Sequence, residues 1–115
     1  MYYNLTKKEK KIAAQIIEKG VQADFKAGLE KAKKVITDWE NEKTDNRAAY
    51  HKLYKTITNH DKKISKRYDG LGGSDYLMTV AVILFEEQIT EEDIKDFSDE
   101  AKQFIYRWIS VWKGE

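Results

Sequence analysis

Apolar residues recur at helical spacing through the first third of the chain, and the 115 residues contain no proline to interrupt them. This pattern predicts an amphipathic helix, because residues three and four apart lie on the same side of an α-helix. A capping box marks its start, with Thr6 as the N-cap and Glu9 three residues later. The apolar positions continue to Trp39, so we expect the helix to end near Glu42.

The apolar stripe of this first helix changes direction near Gly20. The first group of apolar residues shares one side of the helix and consists of Ile12, Ala13, Ile16 and Ile17. The second group centres roughly 100° further round the helix and consists of Val21, Phe25, Ala32, Val35 and Trp39. Either Gly20 breaks the helix, or one long helix meets different partners along its length. No polar turn residues accompany the glycine, so we favour one long helix.

The remaining sequence predicts three more main helices and a short one. The second extends to about Tyr68, and the third, which is apolar on all sides, extends to about Glu87. The predicted N-caps are Thr44 or Asp45, Ser74, Thr90 for the short helix, and Ser98. We therefore expect an all-α single domain over residues 1–115, an irregular antiparallel bundle of four main helices plus one short helix, with the first helix long.

Several kinds of chemistry are excluded by residue content. The chain has no cysteine, which excludes disulfides, thiol nucleophiles and cysteine-based zinc sites. Its two histidines, His51 and His60, point to opposite sides of the predicted second helix and cannot share a metal ion. No metalloprotease, di-metal or nucleophile-elbow motif is present. We expect a protein that is not an enzyme and that uses no metal and no cofactor.

Glycines cluster at one place, the stretch KRYDGLGGSDYL of residues 66–77. Glycines before a helix N-terminus can bind anions, but this stretch lacks the lysine and the spacing of a phosphate-binding loop. We favour a bend, in which Gly70 ends one helix and Ser74 caps the next. The alternative is a small-ligand or anion site near the Gly70–Ser74 loop, whose candidate residues are Asp61, Arg67, Tyr68, Asp69 and Ser74.

Asp61 falls in the middle of the apolar stripe of the second helix. A buried carboxylate must be hydrogen-bonded, paired or protonated, and perturbed carboxylates are common in active sites. We favour a structural role, in which Asp61 is buried and bonds to a tyrosine hydroxyl, a tryptophan N–H or a lysine. Seven tyrosines and three tryptophans are present to supply such donors.

Charge is divided unevenly along the chain. Residues 1–67 carry a net charge of +8 and residues 68–115 a net charge of −7, which leaves +1 in total. Four lysines crowd the first turn of the first helix, where the helix dipole disfavours cations: Lys7, Lys8, Lys10 and Lys11. One explanation is that the two halves fold against each other and neutralise their charges locally, since charged surfaces are common and each exposed ion pair contributes only about 0–1 kcal/mol. The functional prediction is that the four lysines form a basic surface that meets an acidic patch on a partner protein or on another copy.

Nucleic acid is the alternative partner for this basic half. Lysines outnumber arginines by 18 to 3, however, and the acidic half would repel a phosphate backbone. We therefore predict a small non-enzymatic protein that acts through protein–protein contact, of which a homodimer is one form. A nucleic-acid-associated accessory protein is the second hypothesis, and ligand binding near Gly70–Ser74 is the third.

The sequence also favours a cytoplasmic location. The longest apolar run, Tyr76 to Phe85, is too short to cross a membrane, which takes about 20 residues. The N-terminal stretch MYYNLTKKEKK has no apolar region of the kind found in signal peptides.

Overall fold

The computed structural model describes residues 4–71 and 75–114, and within these ranges the chain is helical with no strand. The main helices are α1 (Lys7–Glu40), α2 (Asn46–Tyr68), α3 (Tyr76–Phe85) and α4 (Asp99–Lys113). A short 3₁₀ helix, Glu91–Ile94, lies between α3 and α4. The prediction of an all-α protein with four main helices, a short one and a long first helix is confirmed.

α1 is a single helix of 34 residues. The predicted capping box is present: the Glu9 N–H donates to the Thr6 hydroxyl at 3.1 Å, and the Thr6 N–H donates to Glu9 Oε1 at 3.2 Å. Gly20 is buried inside the helix and does not break it, so the interpretation as one long helix is correct.

The chain divides into two compact units, and the division falls within α1. Met1–Val21 and Gly70–Glu115 form the first unit, and Gln22–Asp69 forms the second. The boundary follows Gly20 closely, which is where the apolar stripe changes direction. The apolar stripe changes direction there because each half of α1 packs within a different unit. A single domain over residues 1–115 stays a prediction.

The first unit has a core built mainly from α3, the 3₁₀ helix and α4. Its largest fully buried side chains are Val80, Ile83, Ile94 and Ile105. The start of α1 joins this unit through Glu9, whose Oε2 accepts hydrogen bonds from the Ser98 hydroxyl at 2.9 Å and the Ser98 N–H at 3.2 Å. One carboxylate thus serves the N-terminal ends of both α1 and α4, which accounts for its burial.

The second unit is an antiparallel hairpin, in which the C-terminal part of α1 pairs with α2. Asp45 is the N-cap of α2, because its Oδ1 accepts a hydrogen bond of 2.7 Å from the Ala48 N–H. Thr44, the other predicted cap, does not have this role. Gly70 follows the end of α2 with φ of 72°, a left-handed conformation that glycine adopts without strain, as the predicted bend requires.

Two other predictions concern the two ends of α3. α3 ends at Phe85 instead of Glu87, and Glu87 has a φ of 61°, which a helix cannot accommodate. Ser74, the predicted N-cap of α3, lies outside the described residues. None of the described helices is both long enough and apolar enough to span a bilayer.

Candidate interaction surface

Asp24 is the centre of a polar cluster that joins α1 to α2. Its carboxylate is almost fully buried, and it accepts a hydrogen bond of 2.6 Å from the Tyr68 hydroxyl. Nη1 of Arg67 donates to both carboxylate oxygens, at 3.1 Å and 3.4 Å. These hydrogen bonds replace the ones that an exposed carboxylate would form with water. Burial, together with the bond to Asp24, raises the pKa of Tyr68 far above its ordinary value.

His60 adds a second contact to the same part of α1. The His60 ring is buried, and its Nε2–H donates to the backbone oxygen of Asp24 at 2.5 Å. The ring lies against Gly28, one turn further along α1, where a Cβ would stand 2.6 Å from His60 Cδ2. Glycine is therefore required at position 28 for the two helices to approach this closely.

The other end of the hairpin is fixed near the turn. Nε1–H of Trp39 donates to Oδ1 of Asn46 at 2.7 Å, and this bond connects the last turn of α1 to the first turn of α2. Trp39 is nevertheless 45 % exposed. Polar bonds therefore hold both ends of the hairpin, and the apolar side chains between them need not all be buried.

The predicted site residues do not form one site. Arg67 and Tyr68 come together, but on Asp24, which the sequence analysis did not select. Its position carried a signal, since Asp24 lies three residues after Val21 and eleven before Val35, on one side of α1 with both. The criterion that selected Asp61, an acidic residue within an apolar stripe, selects Asp24 as well.

The expectation of a buried Asp61 is wrong, because its side chain is exposed. Its assigned position round α2 was correct, and it does lie beside Ile57. That side of α2 is left open, whereas the buried side carries His60 and Ile64. Asp69 is exposed, and its N–H caps α2 by donating to the Ser65 oxygen at 2.8 Å. Ser74 lies outside the described residues.

The hairpin has an apolar face that its own two helices leave uncovered. Seven large apolar side chains are exposed there, with exposed fractions from 41 % for Ile36 to 73 % for Tyr50. We call this surface the hairpin face, and its residues are Phe25, Leu29, Ile36 and Trp39 from α1 and Tyr50, Tyr54 and Ile57 from α2.

Two grooves connect the α1 and α2 parts of the hairpin face. One, of about 190 Å³, has Phe25 and Leu29 on one wall and Ile57 on the other. The second, of about 370 Å³, has Ile36 and Trp39 opposite Tyr50, and its lining is almost entirely apolar. Helix geometry places the exposed residues of each helix on one side, because they follow one another at spacings of three, four and seven.

The predicted basic surface is exposed. Lys7, Lys8, Lys10 and Lys11 all lie in the first turns of α1 with accessible side chains, while Glu9 among them is buried. Within residues 4–71 and 75–114, no group of three or more His, Asp and Glu side chains is arranged to hold a metal ion.

Comparisons with protein-family models, with curated proteins and with solved structures give no match. The hairpin face and the charged surfaces are therefore the features of the chain that bear on its function.

Proposed function

We propose that this protein acts without catalysis, through protein–protein contact, and that its contact surface is the hairpin face. The supporting observation is the set of seven large apolar side chains exposed on one side of a two-helix hairpin. Single exposed apolar residues are ordinary, but a contiguous apolar patch bordered by polar residues is typical of an interaction site.

The size and composition of the face support this proposal. If all seven side chains are given roughly the 150–250 Å² of a full aromatic side chain, their exposed fractions correspond to an accessible area on the order of 700 Å². A standard protein–protein interface covers about 800 Å² on each partner. Three of the seven residues, Trp39, Tyr50 and Tyr54, belong to the residue types that contribute most to binding energy.

The other two hypotheses have less support. Exposure of the four N-terminal lysines is compatible with nucleic acid, but it is equally compatible with an acidic protein. A ligand site next to Gly70 would need Arg67 and Tyr68, and both side chains are bonded to Asp24. Neither hypothesis accounts for the exposed apolar side chains of the hairpin.

Photo-crosslinking in cells that produce the protein tests this proposal. A benzophenone amino acid replaces Tyr54 on the hairpin face or, as a matched control, the neighbouring exposed Lys55, which points away from that face. We expect discrete protein adducts from position 54 and none from position 55. The proposal is wrong if benzophenone at position 54, and separately at position 50, yields no protein adduct.

A further inference from the structure

We propose that the hairpin face binds a second copy of this chain, so that two hairpins pack face to face as a four-helix bundle. This inference depends on the proposed function, for which it names the partner. A two-helix hairpin is half of such a bundle, and a two-fold axis lets one surface serve both sides of the contact.

The spacing of the apolar residues on α1 supports helix–helix packing. Residues Phe25, Leu29, Ala32, Ile36 and Trp39 follow one another at alternating intervals of four and three. This is the interval pattern with which helices interlock in bundles and coiled coils. The pattern includes both exposed residues and Ala32, which is buried within the hairpin.

The same residues are arranged almost symmetrically about Ala32. In an antiparallel α1–α1 pair, Phe25 of one copy lies beside Trp39 of the other, and Leu29 lies beside Ile36. Each large side chain is then matched with another across the two-fold axis, which is the condition for an isologous contact. A partner of unrelated sequence would not require this symmetry.

Charge favours the same antiparallel orientation. Residues 38–47, around the turn, contain four acidic and two basic residues, whereas residues 61–69, at the open end of α2, contain four basic and two acidic ones. An antiparallel pair places the turn of one copy beside the open end of the other. A parallel pair would bring like charges together, which disfavours association.

The area is sufficient for a specific dimer. About 700 Å² on each copy gives a total near the standard interface of ~1,600 Å², for which affinities range from micromolar to picomolar. We therefore expect the dimer to be populated at protein concentrations of roughly 10 µM and above.

The first experiment measures molar mass by light scattering or sedimentation equilibrium over a range of concentrations. We expect twice the 13.5 kDa of one chain. Leu29→Glu and Tyr54→Glu should each weaken dimerisation at least about tenfold, since they bury a charge in the interface. Lys55→Glu, on the outer side of α2, should leave the dimer intact. Circular dichroism checks that each variant remains helical.

The second experiment tests the orientation, and the absence of native cysteine makes it direct. The Glu40→Cys and Lys26→Cys variants are mixed and oxidised. An antiparallel pair gives predominantly the mixed disulfide, because residues 26 and 40 of the two α1 helices lie close together. An excess of the Glu40→Cys self-disulfide overturns the antiparallel arrangement.

Two outcomes separate this inference from the proposed function. A chain that stays monomeric at high concentration, while benzophenone at position 54 crosslinks to a different protein, overturns the second copy as partner and leaves the proposed function in place. A monomer with no adduct at position 54 or 50 overturns both. A dimer that Leu29→Glu and Tyr54→Glu do not weaken also overturns the inference, because its contact lies elsewhere.

Discussion

Gly28 of α1 lies directly against the imidazole ring of His60 in α2, and a Cβ at position 28 would stand 2.6 Å from His60 Cδ2 and 3.0 Å from Nε2. The ring has little freedom to move away, because it is buried and its Nε2–H bonds to the Asp24 backbone. A glycine in the middle of a long helix, normally unfavourable, is here the condition for close packing.

We predict that Gly28→Ala destabilises the protein, although alanine is the better helix former by about 1 kcal/mol. The clash with His60 should outweigh that gain and reduce the free energy of unfolding by about 1–3 kcal/mol, the usual range for overpacking. Urea denaturation measures the change. In a His60→Ala background the same substitution should cost less, and an unchanged cost there would show that His60 is not the obstacle.

Tyr68→Phe should reduce stability by about 1–2 kcal/mol. The change removes the 2.6 Å hydrogen bond to the buried Asp24 carboxylate without altering the size of the ring. The control is Tyr50→Phe on the same hairpin, since the Tyr50 side chain is highly exposed and should lose less than about 0.5 kcal/mol. Equal effects from the two substitutions would contradict the assignment of Asp24 as the partner of Tyr68.

The Tyr68–Asp24 bond also predicts a dependence on alkaline pH. The pKa of Tyr68 is raised in the folded state, from an unfolded value of 10.0, first by burial and then by Asp24. The stability gained from the neutral hydroxyl is therefore fully present below pH 10 and decreases as the pH rises above it. Urea midpoints are measured between pH 8 and 11, a range that brackets the pKa of tyrosine in the unfolded chain. With rising pH, they should fall more steeply for the unsubstituted protein than for Tyr68→Phe. If the midpoints of the two proteins fall equally steeply with pH, the pKa of Tyr68 is not raised in the folded state.

Two aspartates on the hairpin provide a matched comparison. Asp61→Ala should change the free energy of unfolding by less than about 0.5 kcal/mol, because Asp61 is exposed. Asp24→Ala should cost about 2–4 kcal/mol, because it leaves the mostly buried Arg67 without its carboxylate. Both are measured in dilute protein, so that self-association does not contribute. If Asp61→Ala costs more stability than Asp24→Ala, then Asp61, and not Asp24, is the buried carboxylate.

The N-terminal lysines lead to a prediction about nucleic acid. Binding to mixed-sequence DNA should be weak at physiological salt, with a Kd no better than the ~10⁻⁴–10⁻⁶ M of non-specific contact. Its dependence on salt should be shallow, since the acidic half limits how many phosphates the lysines reach. Fluorescence anisotropy measures both. Nanomolar binding that is lost when Lys7, Lys8, Lys10 and Lys11 are changed to glutamine would favour the nucleic-acid hypothesis instead.

Much of the secondary structure could be predicted from the sequence, because its signals are local. The Thr6–Glu9 capping box, the N-caps Asp45 and Ser98, and the left-handed Gly70 each depend on a few adjacent residues. The rotation of the apolar stripe at Gly20 also identified, correctly, a long helix with different surroundings along its length. Helical periodicity is a property of one helix and needs no knowledge of its neighbours.

The tertiary structure alone decided which side of each stripe is buried. The apolar stripe of α2 is wider than the contact that one neighbouring helix provides, so His60 and Ile64 are buried while Tyr50, Tyr54 and Asp61 remain exposed. Likewise, Tyr68 was selected from the sequence without its partner, because Asp24 lies 44 residues away along the chain. Helical periodicity determines on which side of its helix each residue lies. Whether that residue is buried depends on whether another element packs against that side.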